Sequence, residues 1–118
     1  MENLLQENCI PCHGGVSPIS EEEINQYQPQ IPDWSLVNQE NPPYLERCYQ
    51  LSDFATALVL AQRIGEIAEQ QGHHPTLIVE WGKLTVQWWT HAINGLHRND
   101  FIMARKTDQI FQEWKAEG

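Results

Sequence analysis

Two hydrophobic periods run along this chain, and the switch from one to the other marks out its elements. Phe54, Ala57, Leu58, Ala61, Ile64 and Ala68 recur at three- and four-residue spacing, which puts them on one stripe of a long helix. Ser52 or Asp53 can cap its start, and Gly72 is placed to close it in the left-handed conformation. A second stripe is formed by Met103, Ala104, Thr107, Ile110, Phe111 and Trp114, an arc of about 120° at about 100° per residue. Arg105, Lys106, Gln109, Gln112 and Glu113 take the rest of that last helix, which Asn99 or Asp100 opens. Between the helices the period drops to two. "TLIVEW" and "KLTVQWWTH" read as strands on either side of Gly82, and glycine supplies the backbone angles that a tight hairpin demands. Leu84, Val86 and Trp88 then share one face, with Thr85, Gln87, Trp89 and His91 on the other.

The N-terminal half carries a second pair of strands. "WSLV" (34–37) and "YLERCYQL" (44–51) flank the turn "NQENPP". Before them, "ISEEEI" starts a short helix: Ser20 and Glu23 form a capping box, Ile19 and Ile24 a hydrophobic staple, and Pro29 and Pro32 end it. Residues 1–18 read as an arm, irregular around Pro11, Gly14, Gly15 and Pro18. The order α-β-β-α-β-β-α predicts an α+β domain over 19–118. Its expected architecture is two-layer, a four-stranded antiparallel sheet with the long helix (about 53–71) and the last helix (about 100–114) on one face.

Composition narrows the function. A formal charge of −9 argues against nucleic acid or an anionic membrane as partner, since phosphate binding needs an excess of Lys and Arg. No apolar run approaches the ~20 residues of a membrane span, and "MENLLQENC" lacks a signal-peptide pattern, so a cytoplasmic protein is expected. Cys9, Cys12 and Cys48 are too few and too odd in number for a disulfide framework. "CIPCHGG" in the arm holds one C-x-P-C motif followed by His13. A zinc site needs four ligands and no second pair completes it, while a thioredoxin-like role needs a βαβ context. The pair therefore reads first as structural or incidental, with metal and redox roles behind. Five tryptophans, Trp88 and Trp89 adjacent, are more aromatic surface than one small core easily hides, which points to a homo-oligomer.

The sharpest feature is the histidines. His73 and His74 follow Gly72 and precede Pro75, which biases His74 toward extended geometry. His91 lies as far after Gly82 as His73 lies before it, so the hairpin returns it to them. Three readings stay open at this point. The histidines can be exposed groups at a helix end, where positive charge suits the dipole. They can be a three-histidine metal site, although only Glu69 and Glu80 are near in sequence to orient it. Or they can perform metal-free acid–base chemistry, which suits a side chain titrating near neutrality.

"EQQGHHP" (69–75), followed by "WGKLTVQWWTH" and "GLHRNDF", closely resembles the pterin-4a-carbinolamine dehydratase family. The likeness reaches upstream to "PDWSL" and "YQLSDF" and so covers roughly 20–115. It implies dehydration of 4a-hydroxytetrahydropterin to quinonoid dihydropterin, which recycles the cofactor of aromatic amino acid hydroxylases, with no metal and no cofactor of its own. By motif position it implies His73, His74 and His91 as catalytic, with Glu69 as an orienter that steadies His73. It also implies pterin contacts from Trp34, His73, His74, Pro75, Thr90, His91, Ala92 and Ile93. Asn99 stands where vertebrate members carry Arg, which touches one substrate contact. His97 replaces a usual Thr or Ser and reads as a surface change. A non-catalytic role is the rival, since some members act as dimerisation cofactors of a homeodomain transcription factor or assist Rubisco assembly. A three-histidine metallohydrolase is the third class.

Overall fold

The turn at Trp81–Gly82 folds a hairpin along one edge of the sheet. Gly82 has φ 78°, a left-handed value that a side chain resists, and it joins β3 (Thr76–Glu80) to β4 (Lys83–Trp88). A computed structural model of the chain describes residues 4–6, 9, 19–38, 43–90, 93 and 95–117, with residues 116 and 117 in backbone only. The sequence expectations for residues 39–42, Cys12, His13, His91 and Ala92 lie outside the described residues.

The two remaining strands are β1 (Ser35–Val37) and β2 (Tyr44–Gln50), and the sheet order is β1-β2-β4-β3. All three pairings are antiparallel, with Leu45 facing Trp88 across β2 and β4 and Thr76 facing Gln87 across β3 and β4. Strict alternation along β4 leaves Leu84, Val86 and Trp88 with no exposed surface. Burial of each such side chain stabilises the fold by roughly 2 kcal/mol.

Three helices complete the expected order: α1 (Glu21–Tyr27), α2 (Phe54–Gln71) and α3 (Arg98–Glu117). The α1 capping box is formed as expected, the Ser20 hydroxyl accepting from the Glu23 N–H and the Glu23 carboxylate from the Ser20 N–H. Asp53, rather than Ser52, caps α2 by accepting from the Thr56 N–H, and Gly72 ends it at φ 65°. Both long helices pack against β4 on the same face of the sheet and against each other. The indole N–H of Trp88 reaches across that layer to the Thr107 hydroxyl, 3.2 Å away.

Two stripes differ from expectation. On α2 the buried positions are Ala57, Leu60, Ile64 and Ala68, whereas Phe54 and Leu58 are 45% and 49% exposed. Leu58 is turned about 100° from Ala57, which carries it with Val59 onto the outer side of the helix. On α3 burial is not one-sided at the start: Asn99, Asp100, Phe101, Ile102, Met103 and Ala104 are all buried. The cause is a short 3₁₀ turn, Leu4–Gln6, which packs on the outer side of α3. Leu4 is fully buried, its N–H donates to Gln30 Oε1 (3.0 Å), and the Lys106 ammonium donates to the Leu5 carbonyl (3.0 Å). The described part of the arm is therefore packed onto the domain.

Candidate active site

The site begins where α2 ends. After the left-handed Gly72 the chain is extended, so successive side chains point to opposite sides. His73 turns inward: it is 9% exposed and its ring stacks on Trp88, centroids 5.6 Å apart at 11°. His74 turns outward, back over the last turn of α2, with most of its side chain in solvent.

Each histidine meets a carboxylate through Nε2. His73 lies 2.6 Å from Asp100 Oδ1, and His74 lies 2.6 Å from Glu69 Oε2. Glu69 therefore steadies His74 and not His73, which corrects the pairing drawn from the motif. The reason is the inward turn of residue 73, which takes it away from the exposed surface of α2 where Glu69 sits. Both rings present Nδ1 away from their carboxylates.

Asp100 has no exposed surface and is the hub of this end of the molecule. Its Oδ2 accepts from the Thr90 hydroxyl (2.8 Å) and from the backbone N–H of His97 (2.9 Å). The second of these bonds is half of a helix cap. His97 immediately precedes α3, and its Nδ1 accepts from the Asn99 N–H at 3.1 Å. Asp100, three residues on, reaches back to the His97 N–H, which is the reciprocal arrangement of a capping box. His97 is thus a buried capping residue, 8% exposed, and not a surface change. Its imidazole does the work that a Ser or Thr hydroxyl does in such a cap. Burial is the main cause that lowers its pKa below the ordinary histidine value, and the neutral ring is the form that can accept at Nδ1.

Thr90 is tied to Gly95 by backbone bonds of 2.8 and 3.3 Å, which close the base of the 90–95 loop. The β3–β4 register, continued past Thr76–Gln87, sets position 73 opposite position 90. One carboxylate thus joins His73 to the residue preceding His91. Glu69, Pro75, Thr90 and Ile93 are described around this end, whereas His91 and Ala92 lie outside the described residues. Among the described residues no group of three or more His, Cys, Asp or Glu side chains is arranged to hold a metal ion.

Trp34 is not brought to this cluster. It is 4% exposed, and its indole N–H donates to Asp108 Oδ1 (2.9 Å), eight residues and about 12 Å of helix rise beyond Asp100. Asp100 itself was quoted in the motif "GLHRNDF" without a role. The available signal was its place as the third helical residue after His97, although His97 is an unusual cap and does not announce one.

A four-stranded antiparallel sheet that carries a buried histidine–aspartate pair at one end of its helical layer defines a small α+β protein equipped for proton transfer or for binding a polar ring. The chain belongs to the pterin-4-alpha-carbinolamine dehydratase family, whose model matches residues 17–110. It is 48% identical over 116 residues to a Microcystis aeruginosa protein provisionally named pterin-4-alpha-carbinolamine dehydratase, covering 98% of this chain and all of that one. A Gloeobacter violaceus protein, provisionally named pterin-4-alpha-carbinolamine dehydratase 1, is 50% identical over 108 residues, 92% of this chain and 93% of its own length. The crystal structure of a transcriptional coactivator/pterin dehydratase from Brucella melitensis superposes with a TM-score of 0.71 at 28% identity, covering 80% of this chain and 98% of that one. No helix among the described residues is long and apolar enough to cross a membrane.

Proposed function

We propose that the protein dehydrates 4a-hydroxytetrahydropterin by histidine acid–base catalysis. The observation that carries this reading is the His73–Asp100 pair, buried within the matched family region and tied through Thr90 to the loop of His91. The reaction removes the 4a-hydroxyl as water and the proton from N5, leaving quinonoid dihydropterin. One group must protonate the departing hydroxyl and another must accept the N5 proton, and each positioned group of this kind contributes roughly 10²- to 10⁴-fold. A carboxylate on Nε2 fixes the tautomer of an imidazole, leaves Nδ1 as the working atom and stabilises the imidazolium that forms. Both His73 and His74 have that arrangement.

His74 and His91 form the proton-transfer pair in this reading. His73, held by Asp100 and stacked on Trp88, orients the pterin ring; Pro75, Thr90, Ala92 and Ile93 complete its surroundings. The product re-enters the redox cycle of pterin-dependent hydroxylation. A second reading, a non-catalytic binding role, draws on the Brucella protein, which is described as a coactivator as well as a dehydratase.

The test is dehydration of 4a-hydroxytetrahydropterin by wild type and by the His73→Ala, His74→Ala and His91→Ala variants, with and without chelator. Loss of the main proton-transfer histidine should lower kcat by about 10²-fold or more, and loss of an orienting one should mainly raise KM. If all three keep near-wild-type turnover, the acid–base reading is wrong and the binding role takes its place.

A further inference from the structure

The chain has sixteen acidic and seven basic side chains (Lys and Arg), yet three of the seven basic ones line a single cleft. This cleft, about 340 Å³, lies beside the C-terminal part of α3, between Arg47, Arg105 and Lys115, with Gln30 and Gln112 at its walls. The carboxylates of Asp33 and Asp108 also line it, both beside Arg47. Arg105, Asp108, Gln112 and Lys115 share one stripe of the helix. Arg105 and Lys115 are ten residues apart, about 15 Å of rise, so the cleft has a cation toward each end and Arg47 between.

The three cations are not equivalent. Arg47 is neutralised: its guanidinium donates to Asp108 Oδ1 at 2.6 Å, lies 3.6 Å from Asp33 Oδ2 and sits over the Tyr49 ring, 4.4 Å from its centroid. Lys115 Nζ lies 5.8 Å from the centroid of the Phe111 ring, and neither Lys115 nor Arg105 has a carboxylate partner among the described residues. In a chain with more than twice as many acids as bases, such partners were available in number. The two cations instead face a shared volume of the size that holds small ligands.

We propose that this cleft is a second ligand site, for a small elongated molecule carrying two oxyanion groups, carboxylate or phosphate. Arg105 would take one end through its planar donor fork and Lys115 the other as a point charge. The amides of Gln30 and Gln112 and the ring of Phe111 would meet the body between them. The site is separate from His73 and Asp100, and its occupancy does not depend on the dehydratase reading.

The experiment titrates the full chain with glutarate and, separately, with fructose 1,6-bisphosphate, at constant ionic strength so that general screening does not vary. Acetate is the single-charge control. Isothermal titration gives the affinity and backbone amide shifts give the place. Saturable binding of either two-headed anion is expected, tighter than acetate, with shifts centred on Arg105, Gln112 and Lys115. It should weaken by about tenfold or more in Arg105→Gln and in Lys115→Gln, and remain unchanged in the surface control Lys83→Gln. Preference for the bisphosphate identifies a phosphorylated ligand, and preference for glutarate a dicarboxylate. Both variants should keep wild-type dehydration, because neither residue touches the histidines. The proposal is overturned if neither two-headed anion saturates, if both variants bind as wild type does, or if the shifts centre on His73 and Asp100.

Discussion

Helix α3 holds two buried carboxylates two turns apart, and the protein uses them in opposite ways. Asp108 receives three donors on one oxygen: the Trp34 indole, the Tyr49 hydroxyl (2.7 Å) and the Arg47 guanidinium. Its main partner is a permanent cation, and its neighbour Tyr49 is held protonated. Burial first, then the Asp108 charge, push that phenol well above its ordinary pKa. Asp100 is held differently. Its partners are an imidazole, a hydroxyl and a backbone N–H. A buried carboxylate beside a permanent cation is a structural clamp, whereas one beside an imidazole leaves a group that can gain and lose a proton. Burial is common to both sites and so does not distinguish them; the identity of the charge partner does.

The strongest way to break this contrast is at Asp100. Asp100→Asn keeps the shape but no longer holds the His73 ring by charge, so the pterin is oriented less well. The ratio kcat/KM is expected to fall on the order of 10²-fold, mainly through KM, while most of the fold survives, as checked by dehydration kinetics alongside urea unfolding. An unchanged KM and kcat in a folded Asp100→Asn protein would remove His73 from the site. At the other end, Asp108→Asn should do the reverse. It leaves the Arg47 guanidinium poorly compensated and should cost on the order of 3 kcal/mol of stability, read from the urea midpoint, with little change in turnover per folded molecule.

The His97 cap sharpens the comparison through pH. Its pKa is lowered in the folded protein, so the unfolded chain binds the proton more readily. The stability it contributes is complete above the ordinary histidine value of about 6.5 and declines as pH falls below it. Protonation also ends the acceptance at Nδ1, so about 1 kcal/mol of capping is at stake. Stability measured from pH 7.5 to pH 5 should fall less steeply in His97→Thr, which restores a hydroxyl cap; equal slopes would deny His97 this role. The smallest effect is expected at Cys9. Its N–H donates to Gln71 Oε1 (2.9 Å) and its thiol is 3.9 Å from the Asn99 carbonyl. The main tie is thus through the backbone, and Cys9→Ser should leave turnover nearly intact; a tenfold loss, about 1.4 kcal/mol in the barrier, would give the arm a part in the chemistry.

Assembly can be tested in the same way. Phe54, Leu58 and Val59 on α2, with Ile78 and Trp81 at the β3 side of the sheet, are exposed apolar side chains in the single chain. Association through such surfaces should appear as a dimer or tetramer in sedimentation at micromolar concentration.

Local chemistry determined the elements, so the sequence by itself was enough to place them. Alternation in "KLTVQW", the capping box at Ser20 and Glu23, and glycine at 72 and 82 each act within a few residues of where they are written. The element order then leaves few ways to bury the stripes, which is why the antiparallel sheet with both long helices on one face was legible. Tertiary structure decided what no local rule reaches. Leu60 is buried and Leu58 exposed because α2 is rotated to meet β4 and α3 at once. His73 is paired with Asp100, and His74 with Glu69, because one side chain faces the core and the next faces water. Asp100 and Asp108 are the same residue type on the same helix. Which one holds an imidazole and which a guanidinium depends on strands and turns that lie far from them in sequence and reach them only in the folded chain.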